Sequence, residues 1–200
     1  MLKIALTGGL ATGKSHVLAR VGTLGLPTID ADIVARETTR PGEPAWREVH
    51  ERFGDAILQP DGSLDRQALA SIVFSDEPAR RDLEHILHPP IYATIAAWLD
   101  DLAQAGAHRA AVADIPLLYE TGHDGDFDKV VVVACAPDTQ LRRVMARDGL
   151  DKPEAQRRIA TQLPLTQKAA RADIVISTEG TLQRTNTQVD RLVREMSQAT

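Results

Sequence analysis

The 200-residue chain is 43% apolar and 26% charged, enough to build one proper core with a small appendage and unlike any fibrous or disordered composition. Its 28 acidic residues outnumber 23 lysines and arginines, for a net charge of −5, which argues against coating nucleic acid or clinging to an anionic membrane and favours a small substrate. A single cysteine, Cys135, has no intrachain partner and suits packing in a reducing compartment. No apolar run approaches the roughly 20 residues of a membrane span, so a cytoplasmic protein is expected.

In chain order, Lys3 to Leu6 reads as a strand that reaches glycine too soon for a signal peptide. Gly8-Gly9-Leu10-Ala11-Thr12-Gly13-Lys14-Ser15 follows, and then a helical pattern with Val17, Leu18, Val21 and Leu24. Strand, G-x-x-x-x-G-K-[ST] and helix in that order form a phosphate loop. Its glycines let successive backbone N–H groups converge on phosphate oxygens at a helix N-terminus. Lys14 is expected to reach the β- and γ-phosphates, and the Ser15 hydroxyl to bind Mg²⁺.

A second strand, Thr28 to Ile29, leads into Ile29-Asp30-Ala31-Asp32. If that segment is extended, its i, i+2 spacing points both carboxylates the same way, and one can take a proton beside the phosphates. Asp30 is alternatively the N-cap of the helix that follows.

From Arg40 to about Ala105 the strand rhythm stops. Helical spacing covers Trp46 to Phe53, Asp65 to Phe74 and Glu77 to Leu102, with Ser63 a candidate cap for the second of these. The helical insert is drawn at 37–105, and the nucleotide-binding core at 1–36 and 106–200.

Short apolar runs resume at Ala110 to Ile115, Val130 to Cys135 and Ile174 to Ile176. Strands alternating with helices imply a mostly parallel sheet covered on both faces. Asp114, ending the third strand, is read either as orienting Mg²⁺ through water or as tying down its loop. Between Asp138 and Ala172, eight cations face four carboxylates, a local +4 in a chain of −5. Two helices punctuated by Gly149 and Pro153 make this segment, about 138–172, look like a lid that closes over phosphates. Arg147 is the candidate for transition-state contact. Trp46, Tyr92, Trp98 and Tyr119 are read as core or as lining for a base or pantetheine.

The phosphate loop alone does not choose a reaction. No Asp is followed three residues later by Gly and no N-K-x-D occurs, which argues against a GTPase. The length argues against motor ATPases and leaves small-molecule kinases. Taken together, the phosphate loop, Ile29-Asp30-Ala31-Asp32, His88-Pro89, Asp114-Ile115-Pro116-Leu117-Leu118-Tyr119-Glu120, Arg147-Asp148, Arg158-Ile159 with Gln162, and Ala172-Asp173-Ile174-Val175-Ile176 closely resemble the dephospho-coenzyme A kinase family over nearly the whole chain.

The resemblance implies an α/β P-loop core with a five-stranded parallel sheet, a helical substrate-binding insert and a helical lid. It implies transfer from ATP, with Mg²⁺, to the ribose 3′-hydroxyl of dephospho-CoA; a monomer or weak homo-oligomer is expected. By position, it makes Asp32 the base and Lys14 and Arg147 catalytic. Gly8, Gly9, Ala11, Thr12, Gly13, Lys14, Ser15 and His16 bind nucleotide, and Asp32, His88, Leu117, Leu118, Tyr119 and Glu120 bind the acceptor. The chain departs from the family's usual residues at Ala11-Thr12, His16 and Ser177-Thr178. A kinase for another small acceptor and a nucleotide-sensing regulator are the competing readings.

Overall fold

The computed structural model describes residues 1–198. Its elements begin with β1 (Leu2–Gly8), α1 (Lys14–Thr23), β2 (Thr28–Asp30), α2 (Ala31–Thr38), α3 (Pro44–Phe53), α4 (Arg66–Ser75) and α5 (Glu77–Ala105). They continue with β3 (Ala110–Asp114), β4 (Lys129–Ala134), α6 (Pro137–Asp148), α7 (Lys152–Ile159), α8 (Leu165–Arg171), β5 (Ile174–Ser177) and α9 (Leu182–Gln198). Two compact units result: residues 1–30 with the chain from Asp101 onward, and Ala31–Asp100. Because α2 packs on α3, the boundary falls directly after β2.

In the first unit the five strands are parallel in the order β2-β3-β1-β4-β5. The unbroken run Val130 to Val133 is buried throughout, as a strand covered on both faces demands. Alternate residues supply one face: Ile4, Leu6, Val131 and Val133 pack with Val17 and Val21 of α1 and Val189 and Leu192 of α9. Each such side chain contributes about 1.5–3 kcal/mol of hydrophobic stabilisation. Arg20 and Asp190 add a two-pronged ion pair between these helices, at 2.8 and 3.0 Å. The register aligns Asp30 with Asp114 across β2 and β3, and Asp114 with Leu6 across β3 and β1.

The helical unit has its own core of Val49, Ile57, Leu64 and Leu69, flanked by Trp46 and Phe53. Trp46 therefore belongs to packing, and its indole N–H donates to the Gly62 carbonyl at 3.0 Å. Asp65, not Ser63, caps α4, accepting the amides of Gln67 at 3.0 Å and Ala68 at 2.9 Å. Ser63 instead donates its hydroxyl and amide to Asp61, closing the turn two residues earlier. These bonds hold the Asp61 carboxyl below the usual carboxylate range.

Candidate active site

β1 delivers the chain into the phosphate loop at Gly8, where a Cβ would lie 2.6 Å from the Val133 carbonyl oxygen. Only glycine fits against the neighbouring strand. Gly13 has φ +91° and precedes α1 without a side-chain cap, so the first-turn amides of that helix are not taken up by its own N-cap side chain. The loop is braced from within and from outside: Thr12 Oγ1 donates to the Gly9 carbonyl at 2.9 Å, and the Gln140 amide of α6 donates to the Leu10 carbonyl at 3.1 Å. Ala11 holds a left-handed φ of 54°, a conformation that favours glycine.

Lys14 begins α1, and its ammonium lies 2.6 and 2.7 Å from the two carboxylate oxygens of Asp114. Asp114 is 1% exposed. A carboxylate so buried needs a charged partner, and the register brings it beside the carboxyl end of β1. Ser15 is exposed in the first turn of α1. His16 shares a 2.7 Å hydrogen bond with Asn186 Oδ1 of α9.

A cavity of about 260 Å³ opens beside the loop, lined by Ala11, Gly13, His16, Arg143, Thr178 and Leu182 among others. Thr178 donates its hydroxyl to the Thr12 carbonyl at 2.7 Å and accepts from Arg143 Nη1 at 3.0 Å. Arg143 Nη2 also donates to the Thr178 carbonyl at 2.9 Å. Cys135 is half-buried, and burial pushes its thiol up, which suits packing rather than nucleophilic chemistry.

The segment after β3 divides by exposure. Leu118 and Tyr119 are buried, while Leu117 and Glu120 reach the surface. The Tyr119 ring lies under the Arg171 guanidinium, 4.2 Å from ring centroid to Cζ, and burial raises its phenol. Glu120 Oε1 accepts the Leu163 amide and the Lys168 ammonium, both at 2.8 Å.

Arg147 ends α6 by forking onto its neighbour Asp148, Nε to Oδ1 at 2.7 Å and Nη2 to Oδ2 at 3.0 Å. Arg158 of α7 joins the same carboxylate at 3.2 Å. The hydrogen bond from Arg147 holds Asp148 below the usual carboxylate range.

In the helical unit, His88 packs edge-on against Tyr92, with ring centroids 6.3 Å apart. Asp32 is exposed in the first turn of α2. The extended spacing expected for Asp30 and Asp32 is not found: β2 ends at Asp30 and the helix begins at Ala31. The i, i+2 rule for one face of an extended strand therefore does not apply to this pair. Arg66 donates to Thr39 Oγ1 at 2.9 Å, and burial, with Arg36 nearby, lowers its guanidinium while the negative charge of Asp32 opposes that shift.

Sequence reasoning missed Lys168 and Gln140, and it did not single out Arg143 from the other lid arginines. The spacing of four between Arg143 and Arg147 on a helix puts both arginines on one face, and of the two only Arg147 is expected to meet phosphate. Lys168 carried no local signal, since its partners Gly8, Pro116 and Glu120 are far away in the chain.

The family model for dephospho-CoA kinase matches residues 2–184. The chain belongs to the dephospho-CoA kinase family. A dephospho-CoA kinase of Geobacillus kaustophilus is 45% identical, covering 97% of this chain and 96% of the relative. One from Anaeromyxobacter dehalogenans is also 45% identical, over 98% and 92%. Among solved structures, the dephospho-CoA kinase from Campylobacter jejuni matches with TM-score 0.74 and 26% identity, covering 98% of this chain and 96% of that one. A Thermus thermophilus protein matches at 0.81 and 32%, over 97% of each. The chain is thus a kinase of the family that carries out the last step of coenzyme A synthesis.

Proposed function

We propose that the chain transfers the γ-phosphoryl group of ATP to the ribose 3′-hydroxyl of dephospho-CoA, giving coenzyme A and ADP, with each role falling on the residues described above. The observation that supports this most directly is the complete phosphate loop with its Lys14–Asp114 pair in a chain of this family. The 3′-oxygen attacks the γ-phosphorus, the bond from that phosphorus to the β,γ-bridging oxygen breaks, and ADP leaves with the electron pair. Asp32 takes the hydroxyl proton. A carboxylate of ordinary basicity serves, because a loose transfer asks for the proton only late.

The phosphate loop amides and Lys14 hold the β- and γ-phosphates, and Arg147 meets charge developing on the transferred group after leaving Asp148. The cavity beside Thr178 takes the nucleoside. His88 and the segment Leu117–Glu120 serve the acceptor, with Leu118 and Tyr119 acting as packing beneath it. Mg²⁺ suits the donor set: Ser15 offers one exposed oxygen, and no cluster of three or more acidic, histidine or cysteine ligands occurs among the described residues. That matches an ion which keeps its waters and relies on substrate phosphates. Bound there, Mg²⁺ would neutralise charge on the β- and γ-phosphates.

No helix among the described residues is long and apolar enough to cross a membrane. The reading places the enzyme in the cytoplasm, acting on two small substrates as a monomer or weak homo-oligomer. An ADP-release assay with an acceptor panel tests the reading. Turnover with dephospho-CoA well above that with nucleoside monophosphates and sugars is expected; the reverse ranking overturns it.

A further inference from the structure

Lys168 of α8 is 0% exposed. Its ammonium has three N–H donors, and three acceptors surround it: the Pro116 carbonyl at 2.9 Å, the Gly8 carbonyl at 3.3 Å and Glu120 Oε1 at 2.8 Å. Gly8 is the first residue of the phosphate loop, and Pro116 and Glu120 bracket the segment after β3. Two more bonds thicken the mesh. Thr7 Oγ1 donates to the Pro116 carbonyl at 3.2 Å, and the Leu163 amide donates to Glu120.

Burying an ammonium is expensive, and an apolar side chain of similar volume commonly stabilises a fold as well or better. Fold stability therefore gives little reason for a lysine here. A fixed geometry does, since the three acceptors come from the two loops that the reaction must align.

We propose that Lys168 is a positioning residue that clamps the entry of the phosphate loop to the segment Pro116–Glu120, holding the donor phosphates and the acceptor in register. This rests on the phosphotransfer reading above, in which that segment serves the acceptor. A displacement of about 1 Å between reacting groups costs about 10²-fold in rate, so loss of the clamp acts chiefly on kcat.

The test compares wild type, Lys168→Met, Glu120→Gln and the double variant. It measures kcat and both KM values with ATP and dephospho-CoA, and amide hydrogen exchange across residues 8–13 and 117–121. Lys168→Met is expected to lower kcat about 10²-fold with KM for ATP changed less than threefold, and to speed exchange in both segments together. Glu120→Gln moves both readouts the same way by less, and the double variant is no slower than Lys168→Met, because the two residues act as one unit.

A folded Lys168→Met with kcat within twofold of wild type, multiplying losses in the double variant, or faster exchange confined to α8 overturns the proposal. If Lys168→Met does not fold, Glu120→Gln decides: faster exchange across residues 8–13 together with a lower kcat supports the clamp, because Glu120 reaches that loop through Lys168, and unchanged exchange across residues 8–13 overturns it. A wild-type enzyme inactive on dephospho-CoA overturns the proposed function, and hydrogen exchange still decides the clamp.

Discussion

The ammonium of Lys14 lies within 2.7 Å of both carboxylate oxygens of Asp114, so the residue proposed to grip phosphate is already gripped. Phosphate must displace Asp114 or share Lys14 with it. Asp114→Asn removes this internal competitor along with one negative charge. Calorimetry should show ADP binding without divalent cation at least threefold tighter, and a coupled assay should show turnover at least tenfold lower. Weaker metal-free ADP binding would show that the pair does not compete with phosphate.

Asp32→Asn keeps the shape of the first turn of α2 and removes the proposed proton acceptor. Turnover is expected to fall by two or more orders of magnitude, on the scale of a lost general base, with ATP affinity within twofold of wild type. Undiminished turnover would strip Asp32 of its role.

Arg147 and Asp148 form a pair in which the arginine side chain is 50% exposed, and such pairs add at most about 1 kcal/mol to stability. Arg147→Ala should therefore lower the melting temperature by no more than about 4 °C. If Arg147 meets the transferring phosphoryl group, the same variant lowers kcat by 10²-fold or more. A large loss of stability with normal kcat would make it a structural arginine instead.

Ala11 holds φ 54° in the phosphate loop. The left-handed region costs a residue with a Cβ roughly 1–2 kcal/mol, and glycine's greater freedom when unfolded returns about 0.4–1 of that. Ala11→Gly should raise stability by about 0.5–1 kcal/mol in urea unfolding. A destabilised variant would mean that the Ala11 methyl group contributes packing that outweighs the backbone strain.

Asp173 accepts the Val130 amide at 2.8 Å and the Lys129 ammonium at 3.0 Å, and these bonds hold its carboxyl below the usual range. A depressed folded value means that stability is fully present above the unfolded pKa of about 3.9 and is lost as pH falls through the folded one. Wild type should exceed Asp173→Asn in urea midpoint at pH 7, with the gap closing below about pH 4. A constant gap across that window would show that the charge plays no part.

The phosphate loop and the five strands were legible because their signals are local: a glycine-lysine spacing between an apolar run and a helical period, and β-branched runs such as Val130 to Val133. Asp32 was read in the wrong local conformation because β2 is only three residues long, too short for alternation to mark where extension stops. Ser63 and Asp65 are both good caps; in the fold Asp65 accepts the α4 amides while Ser63 is engaged by Asp61. Lys168 looked like one more cation in a basic segment. Its burial depends on acceptors at Gly8, Pro116 and Glu120, which only the folded sheet brings together.

Helix α5 runs from Glu77 to Ala105 without interruption, while the division between the two units falls inside it, at Asp100 and Asp101. The helical unit is therefore one continuous stretch of chain, entered across the peptide bond after Asp30 and left in mid-helix. A chimaera that exchanges the helical unit between relatives can take Ala31–Asp100 as a single cassette. Its downstream junction must preserve helical phase: each residue added or removed there turns everything beyond it by about 100°, so a graft matched in length should fold where a loop-style splice with a flexible linker would not.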